Sequence, residues 1–312
     1  MFDFLKNRPY PIGVDITDDS LRMAQLREGG KSLVLVSGGS QSCPPDILPG
    51  TAAWQKWAIA SMRQLLSDCK FAGRFVVASI PPSDVFIDHI KVTSSANRDF
   101  DETVMAKAKQ KLPADFEEDA LIKYITAEED NVIIIATNRV MIDRHLAIYE
   151  NAGLKIKSIG VWPLALANAY VRFFGRRATD RDAVVMLIDL GILRTNLVIC
   201  RHKGLFFARS IPIGIKLLSS SDVINRLISE IAAGRQNFSS LYKKAKIERL
   251  IFMSGQAVDR DIYAAIAKQL QIPAQIGDCL SAVQTAKNRF MDMDRRNCRF
   301  SWATAFGLSL SQ

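Results

Sequence analysis

The chain has 312 residues, 48% of them hydrophobic and 23% charged, and a formal net charge of +9. That composition suffices for a large buried core in one large or two medium domains, as in an ordinary soluble globular protein. No apolar run reaches the ~18 residues of a membrane span, because "AVVMLIDLGILRTNLVIC" is interrupted by Asp189 and Arg194. The opening "MFDFLKNRPYP" lacks the apolar stretch of a signal peptide, so a cytoplasmic location is expected. Cys43, Cys69, Cys200, Cys279 and Cys298 are scattered, which argues against both a disulfide framework and a zinc site. The basic clusters "RFFGRRATDR", "YKKAKIER" and "DRRNCR" lack the interleaved aromatics of a nucleic-acid platform and read as solvated surface.

In chain order, "YPIGVDI", "LRMAQLR" and "KSLVLVSGG" predict three short strands joined by polar turns, an antiparallel meander. "TAAWQKWAIASMRQLLSDC" places Trp54, Trp57, Ala58, Met62, Leu65 and Leu66 at helical spacing. "RFVVASIPP" predicts a buried strand stopped by Pro81 and Pro82. The segments "VFIDHIKV", "FDETVMAKAKQKLP", "ALIKYITAEEDNVIIIATN", "RVMIDRHLAIYENAG" and "LKIKSIGV" read strand, helix, strand pair, helix, strand. They predict a compact α/β insert over about residues 82–161. The helix "PLALANAYVRFFG" follows, with Pro163 at its first turn. "RRATDRDA" is a polar, basic linker and the expected boundary between a first domain of residues 1–178 and a second of 179–312.

Beyond that linker the opening pattern returns. "VVMLIDL", "RTNLVICR" and "LFFARSIPIG" form a second meander, and Asp15 and Asp189 each end a first strand just before a polar turn. Internal duplication accounts for this economically. Helices over "SSDVINRLISEIAAGRQNFSSLYKK" and "DRDIYAAIAKQL", strands "IERLIFMSG" and "IPAQI", and a last helix around "FSWATAFGLSLS" complete two α/β halves facing a central cleft.

Two β-turn-β hairpins with an aspartate at each turn, and a strand ending in "FMSGQA" before a helix, resemble the actin-like ATPase superfamily, a duplicated ribonuclease H-like α/β fold. Within it the chain resembles the PilM-type pilus assembly proteins, almost end to end. The resemblance is carried by "MFDFLKN", "IGVDITDDSLRMAQL", "AKAKQKLP", "ENAGLKIKSIGVWPLALANAY", "TNLVICRHKGLFFARSIPIG", "ISEIAAGRQNF", "IERLIFMSGQA" and "WATAFGLSLS". It implies a cytoplasmic protein docked beneath the inner membrane. Such a protein holds the tail of the membrane protein PilN within the pilus inner-membrane assembly complex.

The resemblance also implies a nucleotide cleft, in which the two turns close on the phosphates of ATP and the aspartate pair, here Asp15 and Asp189, orients hydrated magnesium. The expected cleft residues are Asp15, Thr17, Asp18, Ser20 and Arg22 from the first turn, Asp189, Gly191, Thr195 and Asn196 from the second, and Ser254, Gly255 and Gln256 from the adenosine turn. The second turn follows the pattern, with Asp189 and Gly191 in place. The first departs from it: "Thr17-Asp18-Asp19-Ser20" and then Arg22 stand where a Gly-Ser-Ser turn and a lysine are usual. Extra carboxylates repel a polyphosphate by about 1 kcal/mol per charge pair at ~4 Å in water, and more at a protein surface, unless Asp18 and Asp19 point out to solvent. After "IPIG" only "IKLLSSSDVINRL" precedes the helix holding Glu230, so the subdomain that walls in the adenine is reduced, and Gln256 stands where glycine would let backbone approach the base.

His89, His145 and His202 share no spacing with cysteine or carboxylate and read as core or solvated histidines. The reading that follows is a non-catalytic scaffold of type IV pilus or related secretion-type assembly. It would capture an extended peptide at a strand edge of the insert and touch the membrane only through its partner. The alternative is an ATP-dependent enzyme or nucleotide-switched polymerising ATPase; no catalytic carboxylate after a glycine-rich substrate loop supports a sugar kinase.

Overall fold

The computed structural model describes residues 8–30, 32–93, 100–116, 119–255, 258–285 and 301–311. The first meander is β1 (Ile12–Ile16), β2 (Ser20–Glu28) and β3 (Leu33–Ser42), with Asp15 opposite Arg22 across the β1–β2 pair. Alternation along β1 sorts its side chains. Ile12, Val14 and Ile16 face a core shared with α1 (Ala52–Asp68), whereas Asp15 points into the cleft. Thr51 caps α1, its hydroxyl accepting the Trp54 N–H at 3.3 Å. Next come β4 (Phe75–Ser79), β5 (Phe86–Lys91), α2 (Phe100–Lys111), β6 (Leu121–Thr126), β7 (Asn131–Thr137), α3 (Arg139–Asn151), β8 (Lys155–Gly160) and α4 (Trp162–Phe173). The last stretch is α5 (Ala178–Asp182), β9 (Val184–Leu190), β10 (Thr195–Arg201), β11 (Gly204–Ile211), α6 (Ser221–Leu241), β12 (Ile247–Phe252), α7 (Arg260–Leu270), β13 (Ala274–Ile276), β14 (Gln284–Thr285) and α8 (Ala303–Ser309).

The duplication is visible in the strand order. One sheet runs β14-β3-β2-β1-β4-β8 and the other β11-β10-β9-β12-β13, so each is a meander followed by two parallel strands on the same side. Helices α4 and α8 lie between the sheets, where Trp162, Leu166, Tyr170, Trp302 and Phe306 share one core with Val185, Leu187 and Val198. Backbone meets backbone there: a Cβ on Gly13 would stand 2.0 Å from the Ala305 carbonyl oxygen, and one on Gly307 would stand 1.8 Å from that of Ala165. The last helix of the chain thus packs on the first sheet, and β14 extends that sheet beside β3.

Three elements depart from the sequence reading. Of the five segments expected in one insert, only β5, α2, β6 and β7 form a separate unit, a sheet ordered β5-β7-β6. β8 pairs in parallel with β4 in the six-stranded sheet, and α3 packs beside α1. The insert sheet does not stand apart from the core: Ile133 and Ile135 of β7 are buried in the central core, while Ile90, Val132 and Ile134 pack under α2. The strand "VIIIATN" is the centre of that sheet, flanked by β5 and β6. The linker "RRATDRDA" is also more than a polar tether, because α5 folds within it. There Asp180, 5% exposed, accepts Arg249 Nη2 at 2.7 Å and the Arg177 N–H at 3.1 Å. Burial pushes the Asp180 carboxyl up, but these hydrogen bonds and the neighbouring guanidinium charges outweigh it and hold it below the usual carboxylate range.

Candidate functional site

The two halves build their sites by the same local rule. At the end of β4, Ser79 Oγ accepts the Ile16 N–H at 3.3 Å and donates to Asp15 Oδ1 at 3.5 Å. Just after β12, Ser254 Oγ accepts the Leu190 N–H at 2.5 Å and donates to Asp189 Oδ1 at 3.2 Å. A parallel strand thus ends beside each hairpin with a hydroxyl that ties the strand-end aspartate to the next backbone amide. Asp15 is 5% exposed and Asp189 6%. Burial pushes both carboxyls above the usual carboxylate range, and the charge of Asp189 lifts Asp15 further, while Arg22 pulls both down.

Arg22 decides the character of the cleft. Its Nη2 is 3.0 Å from Asp15 Oδ2, its Nη1 donates to the Ser301 carbonyl at 3.0 Å, and its charge also acts on Asp189. A guanidinium therefore compensates Asp15 directly and offsets part of the charge of Asp189 from inside the protein. Removing one partner of such a buried pair typically costs about 3–5 kcal/mol, because the other charge is left uncompensated.

The first turn is closed on itself. The Thr17 N–H donates to the Ser20 carbonyl at 2.8 Å, and the Thr17 and Ser20 hydroxyls both lie on Asp19 Oδ1, at 2.7 and 2.8 Å. Asp18 does not turn outward as the sequence allowed. It accepts Ser83 Oγ at 2.7 Å, from the short 3-10 turn Pro82–Asp84 at the root of the insert, and lies 3.7 Å from Arg194 Nε of the second turn. Burial raises its carboxyl, against the pull of Ser83 and Arg194. In the second turn the Gly191 N–H donates to the Arg194 carbonyl at 2.8 Å, and the Gly191 and Ile192 carbonyls take the N–H groups of Ile215 and Lys216. Gly214 permits this approach, since a Cβ there would stand 2.3 Å from the Ile192 oxygen.

Of the twelve residues expected in the cleft, Asp15, Thr17, Asp18, Ser20, Arg22, Asp189, Gly191 and Asn196 line one cavity of about 40 Å³. Ser254 supports it from behind Asp189. Thr195 is instead fully buried, its hydroxyl donating to the Ile213 carbonyl at 2.6 Å. Gly255, at φ +60°, lines a separate hollow beside Asp278, and Gln256 lies outside the described residues. Ser79, Ser83, Arg194 and Ser301 were not foreseen. Only Ser79 had a signal, since "VVAS" and "IFMS" occupy equivalent places in the two halves. The donor set does not fit a magnesium nucleotide: Arg22 pairs with a carboxylate that would orient the metal, and small-molecule sites usually span about 300–1,000 Å³. Among the described residues no cluster of three or more metal-ligating side chains occurs.

Comparison with known proteins decides the family. The family model for the type IV pilus assembly protein PilM matches residues 13–223. The chain belongs to the PilM family. Among solved structures, a PilM-PilN type IV pilus biogenesis complex matches at 19% identity, covering 96% of this chain and 98% of that one, with a TM-score of 0.75. The ethanolamine utilization protein EutJ from Carboxydothermus hydrogenoformans matches at 13% identity, covering 97% and 90%, with a TM-score of 0.53. The cytoplasmic domain of EpsL, from the type II secretion system of Vibrio cholerae, matches at 8% identity, covering 97% and 94%, with a TM-score of 0.50. At these identities the likeness establishes the actin-like fold alone. No curated protein sequence matches. In this PilM-family chain the matched segment holds both hairpins, the insert and Arg22, whereas Ser254, α7 and α8 follow it.

Proposed function

We propose that this PilM-family protein is a non-catalytic cytoplasmic scaffold of type IV pilus or related secretion-type assembly. It binds the cytoplasmic tail of a PilN-like inner-membrane protein and lies against the inner membrane through that partner. The observation that carries the reading is the Arg22 to Asp15 pair in a cavity of about 40 Å³, which leaves the working surfaces outside the cleft. Among the described residues no helix is long and apolar enough to cross a membrane, which agrees with attachment through a partner.

The insert supplies the capture surface. Its two outer strands differ. On β5, His89 stacks on Phe207 at 4.4 Å and accepts the Ala208 N–H at 3.3 Å, so that strand is engaged by β11. Burial pulls this imidazole down to about 4, which keeps it neutral and able to accept. Among the described residues β6 pairs on one side only, with β7, and its other edge offers backbone groups to an extended peptide. Replacing the exposed Lys123 and Thr126 of β6 by glutamate lowers capture of a PilN-like tail by about tenfold or more with little change in unfolding temperature. Asp15→Asn leaves capture unchanged. Pull-down with the tail as bait checks both, and the opposite pattern would return the working site to the cleft.

A further inference from the structure

The insert belongs to the first half by its chain and to the second by its contacts. β11 is the edge of the five-stranded sheet, and among the described residues no strand pairs with its outer side. β5 lies against that side without forming a ladder. A side chain stands where a strand would: the His89 imidazole accepts the Ala208 N–H at 3.3 Å and stacks on Phe207. Beneath it, Ile133 and Ile135 of β7 enter the core shared with α4 and the second sheet, and their burial favours the closed position.

The tip of the insert is held differently, by polar groups. In the β6–β7 turn Glu128 Oε1 accepts from Arg201 Nη1 at 2.6 Å, where β10 ends. Glu129 reaches past the end of α6, its two carboxylate oxygens accepting the N–H groups of Lys243 and Lys244 at 3.2 and 3.3 Å. Asn131, 1% exposed, donates from Nδ2 to the Leu241 carbonyl at 3.2 Å. The backbone of this turn is unusual, with φ of +56° at Glu129 and +61° at Asp130. Two positive φ values in succession make the tight hairpin turn that favours Asn-Gly or Asp-Gly, because glycine takes this conformation freely. Aspartate tolerates left-handed backbone better than glutamate does. Glu129 is therefore the costly residue, and its carboxylate is the one that crosses to the α6 terminus. Strain held at a contact between two parts of a chain points to a role for that contact.

We propose that the insert opens and closes on the second half as a unit about its root at Pro82–Asp84, and that the β6–β7 turn is the clasp that sets how often it opens. Opening lifts His89 from Ala208 and uncovers the outer edge of β11, a row of backbone groups able to take an added strand. Burial of Ile133 and Ile135 keeps the open form a minor state. The clasp biases the equilibrium because its polar contacts exist only in the closed form. This motion does not depend on what β6 captures.

Residue-resolved amide hydrogen exchange on the full chain tests it. In Glu129→Ala the Ala208 amide, on a different strand from the altered turn, exchanges about tenfold faster. Amides 132–136 keep their rates, because β7 is paired on both sides and the insert moves without unfolding. Amides 185–188 of β9 also keep theirs, which shows that the variant is not destabilised throughout. In Glu129→Gln, where a side-chain oxygen remains to accept, Ala208 returns close to its wild-type rate. The proposal is overturned if Ala208 keeps its wild-type rate in Glu129→Ala, if 132–136 or 185–188 accelerate with it, or if glutamine restores nothing.

Discussion

Arg22 forms a buried ion pair with the strand-end Asp15 inside the cleft. A single side chain achieves this because register places it opposite Asp15, and the β1–β2 hairpin leaves its guanidinium nowhere to go but the cleft. The cluster has a pH signature. Asp15 and Asp189 are raised in the folded state, mainly by burial. The stability they contribute is therefore fully present below the ordinary carboxylate range and is lost as pH rises through their folded values. Asn at position 189 cannot ionise, so the unfolding temperature of Asp189→Asn minus that of the wild type increases as pH is raised from acid to neutral. A difference that shrinks over the same range, measured by scanning calorimetry, contradicts the raised carboxyl. Asp180, held low by Arg249 and Arg177, has the opposite sign: its contribution is lost as pH falls through its depressed value.

Among the elements, both meanders and the alternation of strands and helices were legible because hydrophobic periodicity reports them directly. The place of β8 was not. "LKIKSIGV" has the same strand signature whether it pairs with β4 or within an insert, and pairing partner is a tertiary choice that period-two patterning does not encode. The short helix α5 was hidden for another reason: its polar sequence reads as a linker until Arg249, about seventy residues away, supplies the partner for Asp180. Nor could composition reveal that α8 crosses back to the first sheet. "ATAFGLS" shows a helix; only the contact of Gly307 with the α4 backbone shows where it lies. That contact yields a prediction at this scale. Gly307→Ala introduces a methyl where no space exists and destabilises the protein by about 1–3 kcal/mol or more, read from denaturant unfolding. A neutral effect would mean that α8 does not seat on α4 as described.

For the whole molecule, the cleft is lined from both halves of the chain. The cleft joins the halves through charge: Arg22 reaches from β2 to the Ser301 carbonyl, and Asp18 connects Arg194 of the second turn to Ser83 at the insert's root. The sequence displayed the carboxylates of that site but not its closure, because Arg194, Ser83 and Ser301 converge only in the folded chain. Arg22 was visible as a departure from the usual lysine, yet its role depended on the depth of the site. The proposal that Arg22 occupies the cleft and that the protein works as a scaffold without nucleotide rests on that closure. Isothermal titration calorimetry of ATP with magnesium into the full chain tests it most directly. The account predicts no saturable heat up to about 100 µM ligand, and a saturable one-site isotherm within that range would contradict it.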